Sequence, residues 1–227
     1  MLKFFDLNYF LSFLTNVRII YVISLVFAVV FSLSLHEFSH AFVANFFGDD
    51  TAKRFGRLTP NPLKHLSLLG TVCILIFGFG WARPVPVDMN KFKNPKKNMA
   101  LVALAGPCAN FILAFLGFIL YKVAVIFSNF GYFGYRYFIF SFLKNFFMYL
   151  VVLNIGLFVF NLVPIPPLDG SRVVMCFLPE SVYYTIIRNE MFGRFVIMFL
   201  LYTGSLRSFV SKIVLVLLKF IGVYGAY

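Results

Sequence analysis

The pentapeptide His36-Glu37-Phe38-Ser39-His40 holds the residue types that metal-assisted hydrolysis uses, at a spacing that suits it. Positions i and i+4 of a helix share a face, so His36 and His40 can reach one ion. Glu37, between them, suits a general base toward water activated by that ion. The chain has only three His and three Glu, so chance rarely assembles this pattern. The motif closes a long apolar run, where an ionisable side chain is costly and by default functional. These residues point to a hydrolytic site set in a membrane.

Catalytic zinc sites commonly use three protein ligands and keep one position open. The third ligand must then be His, Asp or Glu. His65 lies in a polar loop, and Asp169 lies at a helix break, directly after Pro164-Ile165-Pro166-Pro167. Of eight acidic residues, only Glu37 and Asp169 fall within or beside apolar spans. Asp169 also suits a structural role, the N-cap of a following helix.

The elements that position these residues are membrane spans. Hydrophobic residues make up 61% of 227 and charged residues 12%, too little charge to cover a soluble domain of this size. Apolar stretches of 18 or more residues recur, long enough to cross ~30 Å of hydrocarbon. The expected fold is an all-α polytopic membrane protein with about four to six transmembrane helices. A small extended or re-entrant element is allowed between the first and second core helices. Residues 1–227 read as one membrane domain, with a core at 17–178 and a C-terminal membrane segment at 192–223.

The first span runs from Val17 to Phe47 and stops at Gly48-Asp49-Asp50. The second covers Asn98–Phe127, and the third covers Tyr137–Val163. A short helix is expected over Ser171–Leu178. Residues 1–16 suit an interfacial segment. Leu66–Trp81 is short and Gly-rich, as in a re-entrant segment or hairpin. Ala82–Val87 alternates with Pro and reads as extended chain at a sheet edge, able to pair with an extended peptide. The region 192–223 fits either one irregular span or a tight hairpin. The 33 Phe are expected to face lipid and fill helix interfaces.

Net charge is +12, and nine of the 20 Lys and Arg fall in residues 51–97, flanking apolar spans. Membrane topology accounts for that distribution, and no nucleic-acid partner is expected. The basic loop should face the cytoplasm, so the His pair lies toward the cytoplasmic end of the first span. Three alternating spans bring Asp169 to the same side. Cys73, Cys108 and Cys176 are too few and scattered for a disulfide framework or a paired metal site. No removable signal peptide is expected.

Four blocks together resemble the site-2 protease family of intramembrane zinc metalloproteases. They are His36–His40, Ala105-Gly106-Pro107-Cys108-Ala109-Asn110, the run Asn161–Gly170, and Gly56–His65. The last, with Trp81–Val87, resembles the small prokaryotic branch without a PDZ domain. The resemblance covers about residues 28–178. It implies one zinc ion held by His36, His40 and Asp169, with Glu37 as general base. It implies that Asn161 handles substrate backbone or the oxyanion, and that the substrates are membrane-spanning proteins or peptides. Ser67 stands where the branch often has Asp, so His65 is read as structural.

Two other functions compete. A metal transporter also uses intramembrane His and Asp, but it has no need of Glu37, and it spreads ligands along a path. An inactive relative that escorts membrane helices has no need of the complete His36/Glu37/His40/Asp169 set.

Overall fold

A computed structural model of the protein describes residues 16–65, 67, 70, 83–128 and 134–222. The expectation for residues 1–16, apart from Asn16, and most of that for Leu66–Trp81 lie outside the described residues.

Helix α1 covers Asn16–Phe46, and a four-residue helix, α2, covers Thr51–Arg54. Two single 3-10 turns follow, Pro62–Lys64 and Met89–Lys91. Next come α3 (Pro95–Ser128), α4 (Gly134–Asn161) and α5 (Asp169–Met175). Three more helices close the described chain: α6 (Glu180–Arg188), α7 (Glu190–Tyr202) and α8 (Ser205–Phe220). Helices α1, α3 and α4 are long and apolar enough to cross a membrane. Helices α7 and α8 qualify only as a pair, bent by 73° at a short break, which gives up to four spans. A bend of 73° is compatible with both expectations for 192–223, an irregular span and a tight hairpin; Gly204 at the break has φ +73°, a left-handed conformation that costs glycine little. The chain is an all-α polytopic membrane protein, with no strand among the described residues.

Helices α1, α3 and α4 pack as a bundle with small residues at the crossings. Ala28, Ala41 and Ala44 of α1 and Ala103 of α3 are buried. Without a hydrophobic drive between helices in lipid, close backbone approach and interhelical hydrogen bonds supply the cohesion. Ser24 Oγ donates to the Phe142 carbonyl across α1 and α4 at 3.2 Å. Asn154 Nδ2 donates to Ser32 Oγ at 2.7 Å across the same pair. Asn154 is thus a brace between α1 and α4. Ala114, Tyr121, Met148, Val151 and Ile155 build the core between α3 and α4, closed by Leu218 of α8. Phe27, Phe111, Phe115 and Phe127 stay exposed, as lipid-facing aromatics would.

The short helix begins two residues earlier than expected, at Asp169 itself. Its N-cap is Leu168, and no side chain caps it. The capping role therefore does not occupy Asp169. Residues 83–88 form no helix and pair with no strand among the described residues, so the expected sheet edge is not formed there.

Candidate metal centre

His36 and His40 lie on the last third of α1, one turn apart, with rings edge to face at 88°. Their Nε2 atoms are 3.1 Å apart. The Asp169 carboxylate enters from the start of α5, with Oδ2 at 3.3 Å from His36 Nε2 and 3.4 Å from His40 Nε2. These three are the one group among the described residues able to hold a metal ion. His65 is not in it.

The arrangement fits a cation between the three atoms. His40 Nδ1 lies 2.7 Å from the Val102 carbonyl, which only accepts, so Nδ1 carries the proton. His36 Nδ1 lies 3.1 Å from Asn110 Oδ1, and its proton is placed there in the same way. Both Nε2 lone pairs therefore face each other and Asp169. Asp169 Oδ2 is buried and takes no hydrogen bond. Three lone-pair atoms meeting without a donor would repel, unless an ion joins them. A tetrahedral ion with bonds of about 2.0–2.1 Å sets its ligands ~3.3 Å apart. The observed triangle has that edge length.

Two glycines let the backbone close on this centre. A Cβ on Gly106 of α3 would strike the His40 and His36 rings. A Cβ on Gly170 would strike the Leu162 backbone, so only glycine lets α5 fold back on the end of α4. Gly106 and Asn110 are i and i+4 on one face of α3, which presents the approach and the hydrogen-bond acceptor together. Asn110 and the Val102 carbonyl had no assigned role in the sequence reading. That i, i+4 spacing inside the Ala105–Asn110 block was the available signal.

Glu37 is half-buried beside the two His, and its Oε2 accepts the Val85 N–H at 3.0 Å. That N–H is therefore taken, and cannot serve an added peptide strand as the sequence reading allowed. Asn161 ends α4, half-buried, with no side-chain hydrogen bond among the described residues. His65 is fully buried in its loop, with Nε2 2.7 Å from the Thr59 carbonyl.

Comparison with known proteins agrees with this chemistry. The model of peptidase family M50 matches residues 24–203. Three relatives bear the printed name "putative zinc metalloprotease". YwhC of Bacillus subtilis is 45% identical over 82% of this chain and 83% of its own length. Rip2 of Mycolicibacterium smegmatis is 31% identical over 85% of this chain and 71% of its own. MJ0611 of Methanocaldococcus jannaschii is 31% identical over 69% of this chain and 71% of its own. No solved structure matches the chain significantly. With a family match over most of its length and a complete two-His, one-Asp cluster beside a glutamate, this chain belongs to peptidase family M50, the site-2 protease family of metallopeptidases.

Proposed function

We propose that this protein is an intramembrane zinc endopeptidase that cuts membrane-spanning substrates, with His36, His40 and Asp169 as zinc ligands and Glu37 as general base. The observation that carries the reading is the triangle of His36 Nε2, His40 Nε2 and Asp169 Oδ2, with edges of 3.1–3.4 Å. Two imidazoles and a carboxylate make a donor set that zinc accepts. A bound zinc ion would supply Lewis acidity to a water and to the scissile carbonyl.

The chain's own residues do the rest. Val102 and Asn110 hold the two imidazoles in the tautomer that aims Nε2 at the ion. Glu37 has one oxygen fixed by Val85, which leaves Oε1 to take a proton and return it to the leaving amine. Asn161, with an uncommitted amide, suits a hydrogen bond to substrate backbone or the oxyanion. Gly106 and the small residues around it press α3 against the centre and exclude lipid. The substrate helix must unwind locally, since an intact helix keeps its carbonyls in i→i−4 bonds. The basic excess of residues 51–97 supports a centre near the cytoplasmic face.

Glu37→Gln in purified protein tests the reading with a panel of transmembrane peptides. Zinc content is expected to stay at wild-type level while cleavage falls by at least about 100-fold. Zinc flux that survives the change would favour a transporter. A wild type that holds zinc and cleaves no peptide would favour a helix-binding escort.

A further inference from the structure

We infer that residues 83–88 form a strap over the centre, fixed at one end by the His65 carbonyl and at the other by the Asp49 carboxylate. On this inference the Val85 N–H of the strap sets the position of Glu37. Asp49 and His65 are then positioning residues for the reaction. This inference rests on the protease reading above.

The strap begins where Arg83 N–H donates to the His65 carbonyl at 2.8 Å. His65 is itself fixed: it is fully buried, its N–H bonds the Pro62 carbonyl at 2.9 Å, and its imidazole bonds the Thr59 carbonyl. Arg57 bonds the neighbouring Lys64 carbonyl. The strap ends where Asp88 N–H donates to Asp49 Oδ2 at 2.7 Å. Asp49 has no exposed surface and also takes Thr51 N–H at 2.9 Å and the Thr51 hydroxyl on Oδ1. Lys91 Nζ lies 3.4 Å from the same oxygen. Burial alone would raise the Asp49 carboxyl, but these donors outweigh it and hold it below the usual carboxylate range. Asp49 is therefore a fixed anion just past the end of α1, nine residues after His40.

Between the anchors the sequence leaves two N–H donors, those of Val85 and Val87. Pro84 and Pro86 have no N–H, so only Val85 can donate within 84–86. The two prolines also fix φ on either side of it. Val87 and Met89 pack against Ala44, Phe92 and Val102, which ties the strap to α1 and to the stretch of α3 that holds His40. A segment with two polar anchors, one apolar anchor and, between two prolines, an N–H directed at Glu37 is built to orient that carboxylate. It also accounts for two features the zinc chemistry leaves unused, the buried His65 loop and the buried Asp49 carboxylate behind α1.

The test uses the full-length enzyme in lipid nanodiscs, with Asp49→Asn set beside Asp50→Asn. Asp50 bonds Lys91 and Arg54 but does not touch the strap. Asp49→Asn is expected to lower kcat by about 10- to 100-fold, the scale of a small misplacement of a reacting group, with KM within about twofold. Bound zinc should stay unchanged. Amide hydrogen exchange across residues 83–90 should quicken by about tenfold or more, in zinc-loaded and zinc-free protein alike. Asp50→Asn should change neither reading. Val85→Pro guards against misfolding of the Asp49 variant: it deletes the donor to Glu37 and keeps both anchors, so kcat should fall while exchange at Asp88 stays slow. Wild-type kcat in Asp49→Asn or in Val85→Pro, or unaltered exchange in Asp49→Asn, overturns the strap. If the wild type cleaves nothing, the protease reading fails, and exchange in Asp49→Asn decides the strap alone.

Discussion

His36 and His40 are aimed by different kinds of partner. His40 leans on a main-chain carbonyl, Val102, which no side-chain substitution removes. His36 leans on the Asn110 side chain, which is fully buried in α3. Asn110→Ala should therefore free His36 to rotate while His40 stays in place. Loss of such an outer partner typically costs 10- to 100-fold in metal affinity, or ~1.4–2.7 kcal/mol. Competition with a chromophoric chelator reads this directly, and unchanged zinc affinity would show that the contact orients nothing. Pentapeptide and Asp169 are both plain in the sequence, because ionisable groups stand out in an apolar chain. Asn110 is less plain, because an Asn within a membrane helix is as readily a bridge between helices as a support for a ligand. Asn154, on α4, is such a bridge.

Helix α5 depends on a fold-back rather than on its own stability. It has seven residues, too short to persist alone in water. Its start is pressed on the end of α4 through Gly170, and it is tied to α7 by the Arg172–Glu190 ion pair at 2.8 Å. Gly170→Ala should push Asp169 away from the His pair, because its Cβ meets main chain, which cannot swing aside. The expected outcome is zinc content cut by about tenfold or more and cleavage lost with it, since one ligand of three is displaced. Helix content should hold, because α1, α3 and α4 pack elsewhere. Zinc analysis of the purified variant together with far-ultraviolet circular dichroism checks both; full zinc occupancy would sink the fold-back argument. Helix limits came within about three residues of expectation for the long spans, where hydrophobic runs mark them. The start of α5 came two residues early, at Asp169, which Leu168, with no capping side chain, precedes.

The whole molecule places its chemistry at one end of the bundle. The end of α1, the start of α3 and the loop after α4 meet there, as three alternating spans require. If the basic excess sets orientation, that end faces the cytoplasm. Lys93→Cys, exposed beside the strap, should then react with an impermeant maleimide in inverted vesicles and stay unlabelled in intact cells, in a background without Cys73, Cys108 and Cys176. Labelling from outside intact cells would reverse the proposed topology. The sequence by itself determined the membrane class, the three long spans, the His-Glu-x-x-His face and the side on which Asp169 returns. Each follows from local periodicity, from the cost of charge in lipid, or from counting spans. Tertiary structure decided what no local rule reaches. It closed His36, His40 and Asp169 to within 3.4 Å, since that distance depends on Gly106 and Gly170 admitting backbone. It also gave Asn110 to His36 and Val85 to Glu37, contacts 74 and 48 residues apart in the chain, which only packing of the finished bundle can select.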